Sequence, residues 1–537
     1  MDVFTRQDFD NFLKGYQSQL NEVAFWVDTD AIEGTVPAEL EGTLLRNGPG
    51  LFEIGGKSIS QPLDGDGQVS TFAIKNGRVF FRNRFVRTEA LMREQEAQKM
   101  LYRGAFSVGN PAGGLFFNPF DFSVKGIANT SVLAFGGKLL ALYERDLPYE
   151  MDAELKTIGH TDLGCSIDTP KFFGAHHRVE LDAHGHERLV GFNASEEANS
   201  ALVNFFEYDE DFRLLQKAMH RLPGASFGFF HDFLVTENYY VLLENPISLD
   251  LAKLLTRYMF GRACLAECLE YRDDRRTRVH LLRRPGRQGA EHAIAETEPF
   301  FSFHHVNAFE APGGKVVIDT CAMKSGIKFD VGFEGASEAY YQQPAGRATL
   351  TRLVMDVATQ QVTRHELAPD RAAELPSPLA PPRVGRAHTH QYLAASRVPG
   401  ALKWGPQQGV MKVSVSPDWG VSAPAAPDGP RRAFWFPADR AAFAQEPVFV
   451  PRREAAREDD GWVLTLVYSA TEHRTSLVIL DAQSMKQVAA VHLPLHLPYG
   501  IHGSWSNTFF GPSKAFRPTS YCIKHGVSAN GRPKYAK

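Results

Sequence analysis

Short strand-like runs separated by tight-turn signals recur from about residue 43 to residue 493, and they constrain this chain more than any other feature. Residues 78–82, 138–143, 202–208, 238–243, 315–319 and 462–468 are brief, β-branched or aromatic, and bounded by turn formers, which is the pattern of strands. Asn76-Gly77, Gly136-Gly137, Gly313-Gly314 and Asp460-Gly461 supply the positive φ that tight hairpins need. Two stretches read as helices, residues 88–102 and 248–268. The βαβ alternation of a parallel sheet is absent. Many short antiparallel strands over this length point to a propeller or a large barrel, and no clean repeat of blade length chooses between them. The Pro- and Ala-rich residues 367–383 and 422–431 read as long surface loops, because strand patterning resumes on both sides.

The chain has 537 residues, 43% hydrophobic and 22% charged, an ordinary globular composition that excludes disorder and coiled coil. Net charge is −4, with no basic stripe that would track phosphates, so nucleic acid is not an expected partner. The Arg-rich residues 272–287 are interspersed with Asp and Leu and read as a solvated face. Cys165, Cys264, Cys268, Cys321 and Cys522 are an odd, scattered set without zinc spacing, which fits reduced thiols in a cytoplasm-like compartment. The acidic N-terminus carries no secretory signal, and no window reaches the length of a membrane span. The expected location is therefore cytoplasmic.

Of the 19 His, four stand in apolar, strand-like context, where an imidazole is costly unless a hydrogen bond or a metal satisfies it. They are His176 (Gly-Ala-His-His), His231 (Phe-Phe-His-Asp), His304 (Ser-Phe-His-His) and His502 (Gly-Ile-His-Gly). Each alone reads more readily as a hydrogen-bonded core His than as a ligand; four together on a β-rich chain are harder to dismiss. His388-Thr-His390 and His184-Gly-His186 have the His-x-His spacing of cupin metal sites but lack the downstream Glu and third His. Asp64-Gly-Asp66-Gly has half a calcium loop and reads as a tight turn. Arg46-Asn-Gly-Pro-Gly also reads as a turn, since no βαβ unit follows it.

A series of motifs runs in order along nearly the whole chain: Gly42-Thr-Leu-Leu-Arg-Asn-Gly-Pro-Gly, Leu63-Asp-Gly-Asp-Gly, Asn118-Pro-Phe-Asp, Leu139-Leu-Ala-Leu-Tyr-Glu, His231-Asp-Phe, Phe303-His-His-Val-Asn-Ala, Glu446-Pro-Val-Phe-Val-Pro, Glu458-Asp-Asp-Gly and Pro498-Tyr-Gly-Ile-His-Gly. In this series the chain resembles the carotenoid cleavage oxygenase family. The resemblance implies an all-β, seven-bladed β-propeller with helical excursions over one face covering the active site. It implies a single domain over residues 1–537, with 1–40 as an N-terminal extension and 245–268 as a membrane-contacting helix. It also implies one Fe2+ per chain on the propeller axis, held by His176, His231, His304 and His502. In both His-His pairs the motif position selects the first residue, over His177 and His305. Glu144, Glu374 and Glu446 match the family's carboxylates that accept the other N–H of the ligands, with Leu375 standing where the family often has Phe. Thr130 matches a position beside an open iron site, where its methyl restricts access. Four neutral imidazoles leave the full 2+ charge on the metal, and a set without carboxylate leaves positions for O2.

The activity implied is oxidative cleavage of a conjugated C=C bond of a carotenoid or apocarotenoid with O2, giving two carbonyl products. The 39 Phe could line an apolar tunnel, with Phe116, Phe117, Phe229 and Phe303 as candidates. Stilbene cleavers of the family carry Lys immediately before the first of the three Glu; Tyr143 stands there, which favours a carotenoid substrate. The alternatives are a stilbenoid-cleaving dioxygenase and a non-catalytic propeller binding apolar ligands, and the family's iron also serves a retinyl ester isomerase. Residues 247–262 place Leu249, Leu251, Leu254, Leu255, Tyr258, Met259 and Phe260 around Lys253 and Arg257, an amphipathic pattern that suits peripheral membrane contact.

Overall fold

The computed structural model describes residues 3–107, 116–164, 166–167, 171–197, 199–225, 228–324, 346–400, 404–421, 429–513, 516–522 and 527–528. The strand-forming runs form antiparallel meanders whose inner strands are buried on both faces. Gly461–Ser469 and Lys315–Met323 are examples, each mostly apolar and buried along almost its whole length. Asn76-Gly77 closes the two-residue hairpin between Lys75 and Arg78, with φ of 51° and 71°. Gly136-Gly137 does the same between Phe135 and Lys138.

The all-β, propeller-like architecture is present, but the expected seven separate blades are not. The described residues form six sheets of four or more strands: three of four, one of six, one of seven and one of eight. The eight-stranded sheet arises where His292–Thr297 meets Gln361–Glu366 through the parallel pair Glu296 and Gln361, fusing two four-stranded meanders. The seven-stranded sheet gathers strands from both ends of the chain, including Asn21–Trp26, Gly503–Ser506 and Thr519–Cys522. These are pairings between distant segments, which local patterning does not record.

Three further expectations change. The helix expected at 88–102 is shorter, Glu89–Ala97, capped by the Thr88 side chain on Leu91 N–H. Residues 248–268 are not one helix. They break into the strand Ile247–Leu249, the helix Leu251–Thr256 and single turns at Tyr258–Phe260 and Ala266–Cys268. Gly261 (φ 71°) interrupts the run, packed so closely on Phe117 that a Cβ would lie 2.1 Å from its carbonyl oxygen. Residues 367–383 are not simply a surface loop, because Leu367, Ala368, Ala372 and Ala373 are buried and Ala373–Pro376 is a strand. Much of the second such stretch, 422–428, lies outside the described residues.

Buried ion pairs and a hydrogen bond tie neighbouring strands and sheets together. Arg284 reaches Glu180 and Glu207 across a seam. Arg352 grips Asp319 through Nε and Nη2 at 2.8 and 2.9 Å, and Asp319 also accepts from Gln391 of the next sheet. His388 sits in this seam between Asn307 and Gln391, while His390 bonds Ser414 Oγ and His184 and His186 occupy an exposed hairpin tip. Neither His-x-His pair belongs to a metal cluster among the described residues. Burial would raise the Asp319 carboxyl, but Arg352 outweighs it and holds the group well below the ordinary range. A depressed folded-state value means stability that is present above the unfolded carboxyl value and lost as pH falls through the folded one. Asp319→Asn is therefore expected to cost about 3–5 kcal/mol by leaving Arg352 buried without its partner, read by denaturant unfolding at pH 7. Its loss relative to the parent should shrink only in strong acid.

Candidate metal centre

The fold brings the four apolar-context histidines to one point. His176, His304 and His502 each stand one residue before a strand at the end of its sheet: His177–Leu181, His305–Ala311 and Gly503–Ser506. His231 lies in the segment leading to Leu234–Val235. Strand starts from different sheets thus converge, and their side chains point inward together. The potential ligand atoms all lie within 4.8 Å of one another. His176 Nε2 is 3.0 Å from His231 Nε2, which is 3.2 Å from His304 Nε2, which is 3.1 Å from His502 Nε2.

Within each His-His pair the second residue turns away. His305 Nδ1 meets Thr320 Oγ1 at 2.8 Å, and His177 is not in the group.

The other ring nitrogen of three ligands faces a carboxylate. His304 Nδ1 donates to Glu374 Oε2 at 2.6 Å, His502 Nδ1 to Glu446 Oε1 at 2.7 Å, and His231 Nδ1 meets Glu144. A carboxylate only accepts, so Nδ1 carries the proton and Nε2 presents its lone pair. Glu374 is aimed by a β-bulge: its strand slips register between Glu374 and Pro376, and Leu375 takes φ of 52°. Phe229, two residues before His231, has φ of 45°. Such backbone costs about 1–3 kcal/mol at each position, and functional sites are where it accumulates.

These observations test whether a metal fits. With Nδ1 of each turned to a carboxylate, the Nε2 atoms of His231, His304 and His502 face one another at 3.1–3.2 Å, an arrangement a cation suits. An imidazole–metal bond of about 2.1 Å puts ligands at right angles about 3.0 Å apart, matching the spacing seen. Burial pushes His176 and His231 well below the ordinary imidazole value, and the neighbouring rings add to the effect. His502 is also lowered by burial, against the pull of Glu446. His304 goes the other way: burial opposes protonation, but the charge and hydrogen bond of Glu374 outweigh it. His176, His231 and His502 thus stay neutral donors, and Glu374 and Glu446 supply the negative charge beside the point where the rings meet. Neutral imidazole donors suit Fe, Cu, Zn or Ni, not Ca or Mg.

Sequence reading passes over two members of the site. Asp232, directly after His231, has an oxygen 3.8 Å from His176 Nδ1, too long for a hydrogen bond. Its carboxylate is taken by Arg178 at 2.8 and 2.9 Å and by the backbone N–H of Phe233 and His305. The available signal was an acid inside the His231-Asp-Phe motif. Arg46 is not in a turn but in the strand Gly42–Leu51, where it pairs in full burial with Glu446, which also accepts Gly503 N–H at 2.8 Å. Asp64, read as part of a tight turn, accepts backbone N–H groups of Ala105 and Phe106 and ties down the loop they belong to.

Thr130 lies beside the centre through its backbone, its carbonyl accepting His502 N–H at 3.1 Å while its hydroxyl turns to Asn129. Among the Phe candidates, Phe303 packs on His231 and His304 with centroids at 5.4 and 6.0 Å, and Phe229 packs on Phe303. Phe116 is 51% exposed and contacts Phe260, so it belongs to the surface. A cavity of about 250 Å³ reaches His176, His304 and His502, and a smaller one of about 60 Å³ reaches Glu144, His231 and Phe229.

The family model described as retinal pigment epithelial membrane protein matches residues 16–507. Apocarotenoid-15,15'-oxygenase of Synechocystis sp. is 36% identical over 93% of this chain and 96% of its own length. Isoeugenol monooxygenase of Pseudomonas nitroreducens is 29% identical over 88% of this chain and 93% of its own. The solved structure of cobalt-substituted Synechocystis apocarotenoid oxygenase superposes with a TM-score of 0.82 and 34% identity, covering 95% of this chain and all of that one. A match of this extent, with an aligned relative above one-third identity, means that the chain belongs to the retinal pigment epithelial membrane protein family, that of the carotenoid cleavage oxygenases.

Proposed function

We propose that this protein is an iron-dependent dioxygenase that cleaves a conjugated C=C bond of an apocarotenoid or carotenoid with O2, giving two carbonyl products. The observation that carries the reading is the convergence of four His, three of them oriented by Glu, in a chain 36% identical to an apocarotenoid oxygenase. His176, His231, His304 and His502 would hold one Fe2+ per chain, and the cobalt-substituted relative supports a divalent transition metal. The bound iron supplies O2 activation, since four His ligands leave coordination positions free. Glu144, Glu374 and Glu446 fix ring orientation and raise ligand basicity. Phe229 and Phe303 give the His231 side an apolar wall that excludes water and suits a polyene. Thr130, held beside His502, would limit access to the metal.

Tyr143, buried, occupies the place where a phenol-binding Lys would be needed, which favours an apocarotenoid over a stilbenoid. The complete His and Glu set weighs against a non-catalytic propeller. The test is a panel of apocarotenals, β-carotene, resveratrol and isoeugenol incubated aerobically with iron-loaded protein, with products identified by mass. Apocarotenals should be cut at least tenfold faster than either phenol. Preference for a phenol would refute the substrate assignment, and iron binding without turnover of any compound would refute the activity.

A polyene substrate resides in bilayers, and one surface suits contact with them. Leu251, Leu255, Phe116, Phe120 and Phe122 are exposed together with Arg257 and Arg262. Phe120 N–H bonds Met259 O, and Phe116 and Phe120 both pack on Phe260, so the two segments form one patch. Apolar tips among basic residues suit a lipid interface, while no helix among the described residues is long and apolar enough to cross a membrane. Leu255→Glu with Phe120→Glu should weaken liposome binding about tenfold at unchanged iron content; unaltered co-sedimentation would remove the membrane role.

A further inference from the structure

Arg82 and Arg84 alternate with Asn83 along the strand Arg78–Phe85, so the two arginines leave the same face of the sheet while Asn83 is fully buried on the other. They open onto a cavity of about 570 Å³, larger than the one at the four His and walled also by Arg87, Lys156 and Thr519. Two acids share this wall, and both are engaged. Glu22 accepts Arg87 Nη2 at one oxygen and Phe85 N–H at the other, both at 2.7 Å. Glu154 pairs with Lys156 at 2.8 Å. Asp152, close by, accepts the backbone N–H groups of Glu154 and Lys156.

Arg82 and Arg84 therefore have no carboxylate within ion-pair distance among the described residues. Each spends only Nη1, on backbone carbonyls: Ala153 and Phe510 for Arg82, Val23 and Asn83 for Arg84. Nε and Nη2 of both remain without an acceptor among the described residues, and both residues line the cavity. Burial acts most strongly against the charge of both, joined by Arg84 for Arg82 and by Arg87 for Arg84, and the pull of the nearby Glu22, Glu154 and Asp152 offsets it only in part. Nothing in the cleavage chemistry accounts for two guanidiniums held side by side at such a cost.

We propose that this cavity is a phosphate-binding site, with the phosphate group seated on the Nε and Nη2 edges of Arg82 and Arg84. Two guanidinium forks presenting paired donors match a tetrahedral oxyanion, and Arg is the residue suited to such bidentate contacts. The volume falls in the range of small-molecule sites, so the group would belong to an organic phosphate, either a free ester or a lipid headgroup. This inference is independent of the metal centre.

Isothermal titration of the full-length iron-loaded protein with glycerol 3-phosphate, against sodium chloride at matched ionic strength, tests it. One saturable site per chain is expected, at least tenfold weaker in Arg84→Gln, with iron content unchanged. Heat that does not saturate, or equal affinity in wild type and Arg84→Gln, would overturn the proposal. If Arg84→Gln does not fold, Arg84→Lys decides: it keeps the charge and loses the fork, so wild-type affinity in that variant refutes the site. Co-sedimentation with phosphatidic acid vesicles, competed away by glycerol 3-phosphate, would assign the phosphate to a lipid headgroup. Binding of the soluble ester without vesicle capture would assign it to a free metabolite.

Discussion

The His304→Ala variant is expected to lose bound iron and cleavage activity together, while His305→Ala keeps both. His304 is central to the cluster, with its Nε2 3.2 Å from that of His231 and 3.1 Å from that of His502. Its removal deletes a ligand and leaves the buried Glu374 carboxylate without the imidazole it orients. Losing an outer partner of a ligand typically costs about 10–100-fold in metal affinity or activity, and losing the ligand itself should exceed that. His305 faces Thr320 on the other side of its strand, so its truncation should cost packing but not metal. Iron per chain by mass spectrometry and turnover of an apocarotenal read both variants. Iron and activity retained in His304→Ala would refute the ligand assignment.

Glu446→Ala should damage stability and the metal site at once, unlike Glu374→Gln. Glu446 accepts from His502 Nδ1, from Gly503 N–H and from Arg46, whose side chain is 3% exposed. Burial would raise the Glu446 carboxyl, but His502 and Arg46 hold it below the ordinary value, so it is an anion in the folded state. Truncation leaves a buried guanidinium with no countercharge, a cost of about 3–5 kcal/mol, together with a loosened His502. Glu374 has no arginine partner among the described residues; it accepts from His304 and Leu375 N–H. Glu374→Gln should therefore lower iron affinity about 10–100-fold with little change in denaturation midpoint. Equal midpoints for the two variants would show that Arg46 finds another partner.

The difference between these two carboxylates marks where sequence reading stops. The four clustered His were legible because each sits in apolar, strand-like context, three of them inside the ordered motif series, and the turn signals at Asn76-Gly77 and Gly136-Gly137 located real hairpins. Glu374 was found by motif position, although the bulge at Leu375 that aims it is invisible in the sequence. Arg46 was read as part of a turn because its partner lies 400 residues away, and only folding brings the two together. Asp232 was hidden for a similar reason, since its role appears only when Arg178 and the His305 backbone are placed around it. The sheet count failed at a parallel contact between residues 296 and 361. Local periodicity reports which residues are strands; which strands become neighbours is decided by packing at long range.

The account rests on one claim, that the four-His centre carries iron and uses O2 to cut a polyene. Incubating iron-loaded protein with an apocarotenal under 18O2, then reducing the products at once to prevent exchange with water, tests it most directly. Two alcohols, each carrying one 18O atom and together accounting for the whole carbon skeleton, are the predicted result. Recovery of uncut polyene, isomerised or not, from protein that demonstrably holds iron would contradict it.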